Sequence, residues 1–353
     1  MAKGLPSGIR ASHRLLLTLL WALAQTGSAW AQASVDLDAR TVHGEGVTFD
    51  GDVVTVRAGG RYVFTGDLRG QVVVDAPGAQ VTVVLDGVAV HNAVGPSLLV
   101  AAASEVTVEL AVGSVNRLSD GGASELDAAL YSLAPLTFTG PGALEVEAVY
   151  EGISSTSHIT VQGGQLRVVA GEDALNASED DVSRIAVHGG YLFAWGETGD
   201  GIDSNGTLEI TGGTVVAIGS FARGEGGLDA DGGITITGGT VVATGLRAPF
   251  PLRTPGEQKA LLLYLRPVQR VGDVLTVTGP EGEPLLVFEA GGRYDKLVFS
   301  APEVVAAGRY GVHMGGAVAG ETVDGLHGAV VDLGTRVRDV RPGHISVVSL
   351  PVE

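Results

Sequence analysis

Four stretches of the chain repeat one pattern of apolar and polar positions: 158–170, 184–196, 207–219 and 233–245. Each opens on a short alternating run, with Ile159 and Val161, Leu208 and Ile210, or Ile234 and Ile236 flanking one polar residue. A glycine pair follows, beginning at 163, 189, 212 and 238, and then a second short apolar run. Alternation puts every second side chain on the same face, so each copy predicts two short strands with one buried side. A weaker copy, 136–148, is built around Gly140 and Gly142.

The glycine pairs are spaced 26, 23 and 26 residues apart. A period of roughly 20–50 residues is the mark of a solenoid. Stacked copies would align the inward residues into one continuous core, with neighbouring coils about 4.8 Å apart. The glycines suit sharp corners that leave no room for a Cβ. Recurring glycine pairs exclude a helical repeat. A β-propeller fits less well, because its blades take about 40–50 residues. The predicted fold is therefore all-β, a right-handed parallel β-helix over residues 35–246.

Strand-like runs upstream, at 53–57, 61–64, 71–74, 81–85, 98–101 and 106–110, read as earlier coils with looser spacing. An exposed terminal coil is an open strand edge. Residues 35–50 are expected to cap the first. Pro249, Pro251 and Pro255 mark a boundary. Beyond it the period is lost, and runs at 261–265, 274–278, 285–289 and 297–300 predict a small C-terminal β module over 261–353, capping or packed on the helix.

Composition agrees with this reading and narrows the partners. The chain has 353 residues, 54 of them glycine and none cysteine, so a disulfide framework is excluded. The formal charge of −18 argues against nucleic acid, whose phosphates it would repel. The basic residues Lys3, Arg10 and Arg14 precede an apolar run over 15–24, followed by small-residue cleavage sites at Ala29 to Ala31 and Ala31 to Ala33. That predicts a signal peptide over 1–31 and an exported protein, whether secreted, periplasmic or on the cell surface. The run is short for a bilayer span, and no second long one occurs, so no membrane span is expected in the mature protein.

A second repeat lies between the glycine corners. Its copies are Glu151-Gly-Ile-Ser154, Asp173-Ala-Leu-Asn176, Asp200-Gly-Ile-Asp203 and Gly226-Gly-Leu-Asp229. Stacking would align their polar residues into two columns of oxygens. Carboxylates about 5 Å apart repel unless protonated, solvated or bridged by cations. Ca²⁺, which takes six to eight oxygens, tolerates such irregular geometry. Asp173, Asp200, Asp203 and Asp229, with Asp231 nearby, are thus candidate Ca²⁺ ligands. The competing reading is that Asp-Gly and Asn simply form turns and stack inside the solenoid.

With these residues in view the chain resembles a bacterial family of carbohydrate-binding domain-containing proteins. The stretches that carry the likeness are Gly60-Arg-Tyr-Val-Phe-Thr-Gly66, 81–90, Asn116-Arg-Leu-Ser-Asp120, 150–155 and Asp200-Gly-Ile-Asp203. It covers about residues 45–315. The resemblance implies a calcium-binding, pectate-lyase-like parallel β-helix that binds acidic plant polysaccharide and cellulose. Glu151 stands where the family usually has Asp, and Gly226 replaces an acid altogether.

Three functions follow as expectations. The first is a non-catalytic polysaccharide-binding protein assisted by Ca²⁺, for acidic or cellulosic glycans. Tyr191, Phe193 and Trp195 share one strand face and predict a small sugar platform, or equally a packed patch under a loop. The second is a Ca²⁺-dependent lyase, which needs a base beside the cation. Arg167, Arg184 and Arg223 lie in the repeats, but none sits in a recognisable motif, so no catalytic residue is assigned. The third is a structural or adhesive surface protein. The histidines do not cluster at metal-ligand spacing.

Overall fold

The structure, a computed structural model, describes residues 31–350 apart from Glu321. The expected signal peptide, save Ala31, lies outside the described residues. No helix occurs among them, and none therefore is long and apolar enough to cross a membrane. Parallel strands stack into a β-solenoid of about eight turns with three faces.

Each turn follows the repeat. On face one, His158–Val161 pairs with Arg184–Val187, which pairs with Thr207–Ile210 and then Gly233–Ile236. On face two, Gln165–Ala170, Tyr191–Gly196, Thr214–Ile218 and Thr240–Gly245 pair in the same way. On face three, Glu151–Ser155, Leu175–Ala177 and Ile202–Ser204 stack, and Leu228 continues the row. All pairings within these stacks are parallel, and none slips in register.

Three inward columns of these coils are apolar. Ile159, Ile185, Leu208 and Ile234 on face one, Leu166, Leu192, Val215 and Val241 on face two, and Ile153, Leu175, Ile202 and Leu228 on face three are at most 1% exposed. Each such side chain contributes roughly 1.5–3 kcal/mol of burial. The glycine pairs turn face one into face two. Gly190, Gly213 and Gly239 all hold φ near +80°, and a Cβ at Gly213 would lie 2.7 Å from the Gly190 carbonyl oxygen. Any other residue there would strain the backbone and push the coils apart.

The upstream coils use longer strands. Gly60–Arg69 and Gln80–Asn92 each run over both face one and face two, bending at Gly66 and Gly87. Single glycines at φ +84° and +76° do the work of a pair. Both ends of the stack are blunted. Ala31–Asp36 pairs antiparallel with Thr41–Gly44, and Val47–Asp50 with Val53–Val56. At the other end Thr240–Gly245 pairs antiparallel with Tyr294–Val305, which pairs antiparallel with Gln258–Gln269. A separate four-stranded antiparallel sheet runs in the order Pro284–Glu289, Val274–Thr278, Tyr310–Met314, Thr335–Val340.

That C-terminal module covers one end of face two. Phe193, Val216, Ile218 and Val242, which point outward from the helix, share a core with Leu263, Leu275, Val277, Phe288, Phe299 and Tyr310. Tyr191 and Trp195 pack at its edge, and Phe193 is only 3% exposed. The Tyr191 hydroxyl donates to Asp324 Oδ2 (3.1 Å), Arg167 Nε donates to Asp324 Oδ1 (3.0 Å), and the Arg167 guanidinium lies 4.8 Å from the Phe193 ring centre. The expected sugar platform of Tyr191, Phe193 and Trp195 is therefore not an open surface. The three residues do share a face, but it is the face on which the module packs.

Candidate metal centre

The acidic ladder forms where the chain passes from face two to face three. Asp173 and Asp200 each stand two residues before an inward apolar residue, Leu175 or Ile202. Asn176 and Asp203 are register partners one residue after it, and Asp229 follows Leu228 in the same column. The repeat thus delivers the two oxygen columns that the sequence predicts. Gly201 permits the close stacking, since a Cβ there would lie 2.7 Å from the Gly227 carbonyl oxygen.

Three of the five candidate ligands converge. Asp200, Asp203 and Asp229 each offer a carboxylate oxygen within 4.8 Å of the others. Asp173 is tied to this group rather than part of it: its Oδ1 accepts the Asp200 backbone N–H at 2.6 Å. The other oxygen column continues upward, because Asp200 Oδ1 accepts the Gly226 N–H, also at 2.6 Å. Asp231 is exposed and lies outside the trio, although its charge acts on Asp203.

The electrostatics are those of crowded acids. Burial first, then the charges of Asp173, Asp229 and Asp203, pushes the Asp200 carboxyl up to about 8, while the Gly226 N–H pulls it down. Burial, with Asp173, Asp229 and Asp231, raises Asp203 to about 7. Burial raises Asp173 and takes Glu151 to about 7, with hydrogen bonds from Ser154 and Asn176 opposing the rise at Glu151. Such a cluster favours any partner that brings positive charge, whether protons or a metal ion.

Asn176 adds an independent sign. Its Nδ2 donates to Glu151, while its Oδ1 is buried and receives no hydrogen bond. An orphaned buried acceptor costs about 1–3 kcal/mol unless something electropositive meets it. Asn176 stacks directly against Asp203 in the column. Three converging carboxylates, with an unpartnered amide oxygen on the neighbouring rung, are the kind of oxygen donors that a hard cation such as Ca²⁺ accepts. The residues therefore fit that ion.

Two residues that sequence reasoning missed close the ladder. Arg247 donates to Asp229, and to Glu225 Oε2 at 2.6 Å. Its backbone N–H also meets the Glu225 carbonyl. Arg247 occupies the turn after the last repeat strand, Thr240–Gly245, where a further coil would have supplied another acid. That position was the available signal, because the four preceding strands on this face, Ala143–Ala148, Gln165–Ala170, Tyr191–Gly196 and Thr214–Ile218, each lead into a copy of the step. Burial lowers the Arg247 pKa, but the charges of Asp229, Asp200 and Glu225 outweigh it, and the net shift is upward. Arg247 is thus a poor proton acceptor.

Known proteins agree with this architecture. A family model described as carbohydrate-binding domain-containing protein matches residues 50–249. A curated relative of that description from Acetivibrio thermocellus is 30% identical over 137 residues, 36% of this chain and 48% of the relative. The chain thus spans about half the length of that relative. Among solved structures, a polysaccharide lyase-like protein from C. thermocellum, solved as a gadolinium derivative, superposes with a TM-score of 0.51. The superposition covers 64% of this chain and 95% of that one at 22% identity, a likeness of fold. With more than half of its length matched by one family model, the chain belongs to the family of carbohydrate-binding domain-containing proteins.

Proposed function

We propose that this is an exported, non-catalytic polysaccharide-binding protein in which Ca²⁺ at the acidic ladder assists binding of acidic glycans. The observation that carries the reading is the convergence of Asp200, Asp203 and Asp229. Bound Ca²⁺ would offset the crowded negative charge and offer open positions to uronate carboxylates, which the protein's own charge of −18 otherwise repels. The family description and the lyase-like neighbour support polysaccharide as the ligand class.

A lyase reading is less well supported. Arg247 is the arginine that the fold brings to the acidic site, and its guanidinium is committed to Glu225 and Asp229. Export rests on the basic and apolar segments before residue 31. Cleavage after Ala31 would keep Ala33, which pairs with Tyr62 and is 6% exposed, whereas cleavage after Ala33 would remove it. Sequencing the mature N-terminus distinguishes the two.

The functional test is a pull-down on polygalacturonate with Ca²⁺ and with chelator, paired with ultraviolet detection of unsaturated products. Retention that needs Ca²⁺, without product, is the expected result. Sustained product formation would replace binding with elimination, and retention indifferent to chelator would remove the role of the metal.

A further inference from the structure

The first three rungs of face two carry a groove far from the ladder. Its two outward columns are Asp67, Ala89, Arg117 and Arg69, His91, Ser119, set side by side by parallel pairing of the long upstream strands with Val115–Asp120. They line a cavity of about 410 Å³ over a floor at Leu68 and Val90. Small Ala89 at the centre leaves the space open. Glu145 and Glu147, the next residues in the two columns, bound the far end.

The polar groups here are incompletely used. Arg69 is exposed and makes no ion pair or side-chain hydrogen bond among the described residues. Arg117 is paired on one side only, its Nε donating to Glu145 Oε2 at 2.8 Å with 63% of its side chain exposed. His91 Nδ1 lies 2.9 Å from Ser119 Oγ, which fixes the ring, and its Nε2 has no hydrogen-bond partner among the described residues. Two guanidiniums and an imidazole thus face one open cavity with hydrogen-bonding groups to spare, in a chain with nearly twice as many acids as bases.

We propose that this groove is a second glycan-binding site, which holds the carboxylate or sulfate groups of an anionic saccharide chain directly, without calcium. Arg69 and Arg117 bind the anions, since a guanidinium fork matches a carboxylate with two hydrogen bonds. His91 Nε2, Ser119 and Asp67 take the ring hydroxyls. The groove spans three successive rungs, so a short stretch of an extended chain can lie across them. The inference rests on the polysaccharide reading for its ligand class, but not on the metal.

The test uses the full chain freed of divalent ions by chelator and titrated calorimetrically with an oligogalacturonate and with its carboxyl-reduced counterpart. The acidic oligomer should bind in chelator and weaken at high salt, while the reduced one should not bind. The double variant R69A/R117A should lose roughly ten-fold or more in affinity, because it removes both guanidiniums that hold the anions. Its thermal melt should match the parent, since both side chains are exposed. Unchanged affinity in the double variant, or equal binding of the reduced oligomer, overturns the proposal. Binding seen only with Ca²⁺ also overturns it and leaves the ladder's role standing. Conversely, Ca²⁺ without effect on binding, together with sensitivity to R69A/R117A, upholds the groove and removes the ladder.

Discussion

One outward column of face two runs Asp67, Ala89, Arg117, Glu145, Arg167, Phe193, Val216, Val242. As far as Arg167 it is largely charged and open; from Phe193 onward it is apolar and lies under the C-terminal module. The inward column beside it, Leu68, Val90, Leu118, Val146, Val168, Ala194, Ala217, Ala243, stays apolar and at most 4% exposed along the whole stack. A solenoid fixes its inside, because every rung must fill the same cross-section, and leaves its outside free. The outer composition therefore records what covers each rung, and the switch at Arg167 and Phe193 marks where solvent gives way to protein. The acidic ladder shows the same freedom on face three. Its second column runs from the uncharged Thr55, Val73, Leu99, Tyr131, Ser154 and Asn176 and becomes acidic only at Asp203 and Asp229.

Equal truncations at the two halves should therefore differ sharply. Phe193→Ala should cost about 3–5 kcal/mol, as for a buried aromatic, and expose residues 258–350 to hydrogen exchange ahead of the solenoid. Arg117→Ala should stay within about 0.5 kcal/mol. Similar losses at both positions would break the comparison.

The ladder should respond to calcium while the open half of face two does not. At about 100 times the dissociation constant, Ca²⁺ should stabilise the protein by about 2.7 kcal/mol, seen as a raised melting temperature that chelator reverses. Asp203→Asn should abolish that rise. In chelator above pH 8 the same variant should be more stable than the parent by about 1 kcal/mol or more, since one pKa unit corresponds to about 1.4 kcal/mol.

The metal-free protein should also lose stability as pH rises. Asp200, Asp203 and Glu151 hold their protons more tightly folded than unfolded. The stability this gives is fully present below their ordinary values near 4 and is lost as pH climbs through about 7–8. Melts in chelator from pH 5 to 9 should show this decline, and Ca²⁺ should flatten it. A chelated protein that instead gains stability over that window would contradict the crowding of acids.

A small effect is also expected where the two halves meet. Arg167 is nearly half exposed, so Arg167→Ala should cost about 1 kcal/mol or less despite its pair with Asp324.

The solenoid was legible in the sequence because each rung restates the same constraints. The glycine pairs, the alternation about Ile159, Leu208 and Ile234, and the acidic step at Asp200 each recur, and repetition makes weak local signals add. Upstream the coils obey the same geometry, but single glycines at 66 and 87 replace the pairs, so the long strands read as fragments. The fate of Tyr191, Phe193 and Trp195 was out of reach for a different reason. Alternation shows that they share a face, while their cover comes from residues beyond 258. Arg247 was missed likewise, since its partners Glu225 and Asp229 lie about a coil away and only stacking brings them together.

Calorimetric titration of Ca²⁺ into the parent protein and into a variant carrying Asp200→Asn, Asp203→Asn and Asp229→Asn tests the central claim most directly. Saturable binding in the parent and none at this site in the variant is the predicted result. Absence of binding in the parent, or identical isotherms for both proteins, would contradict it.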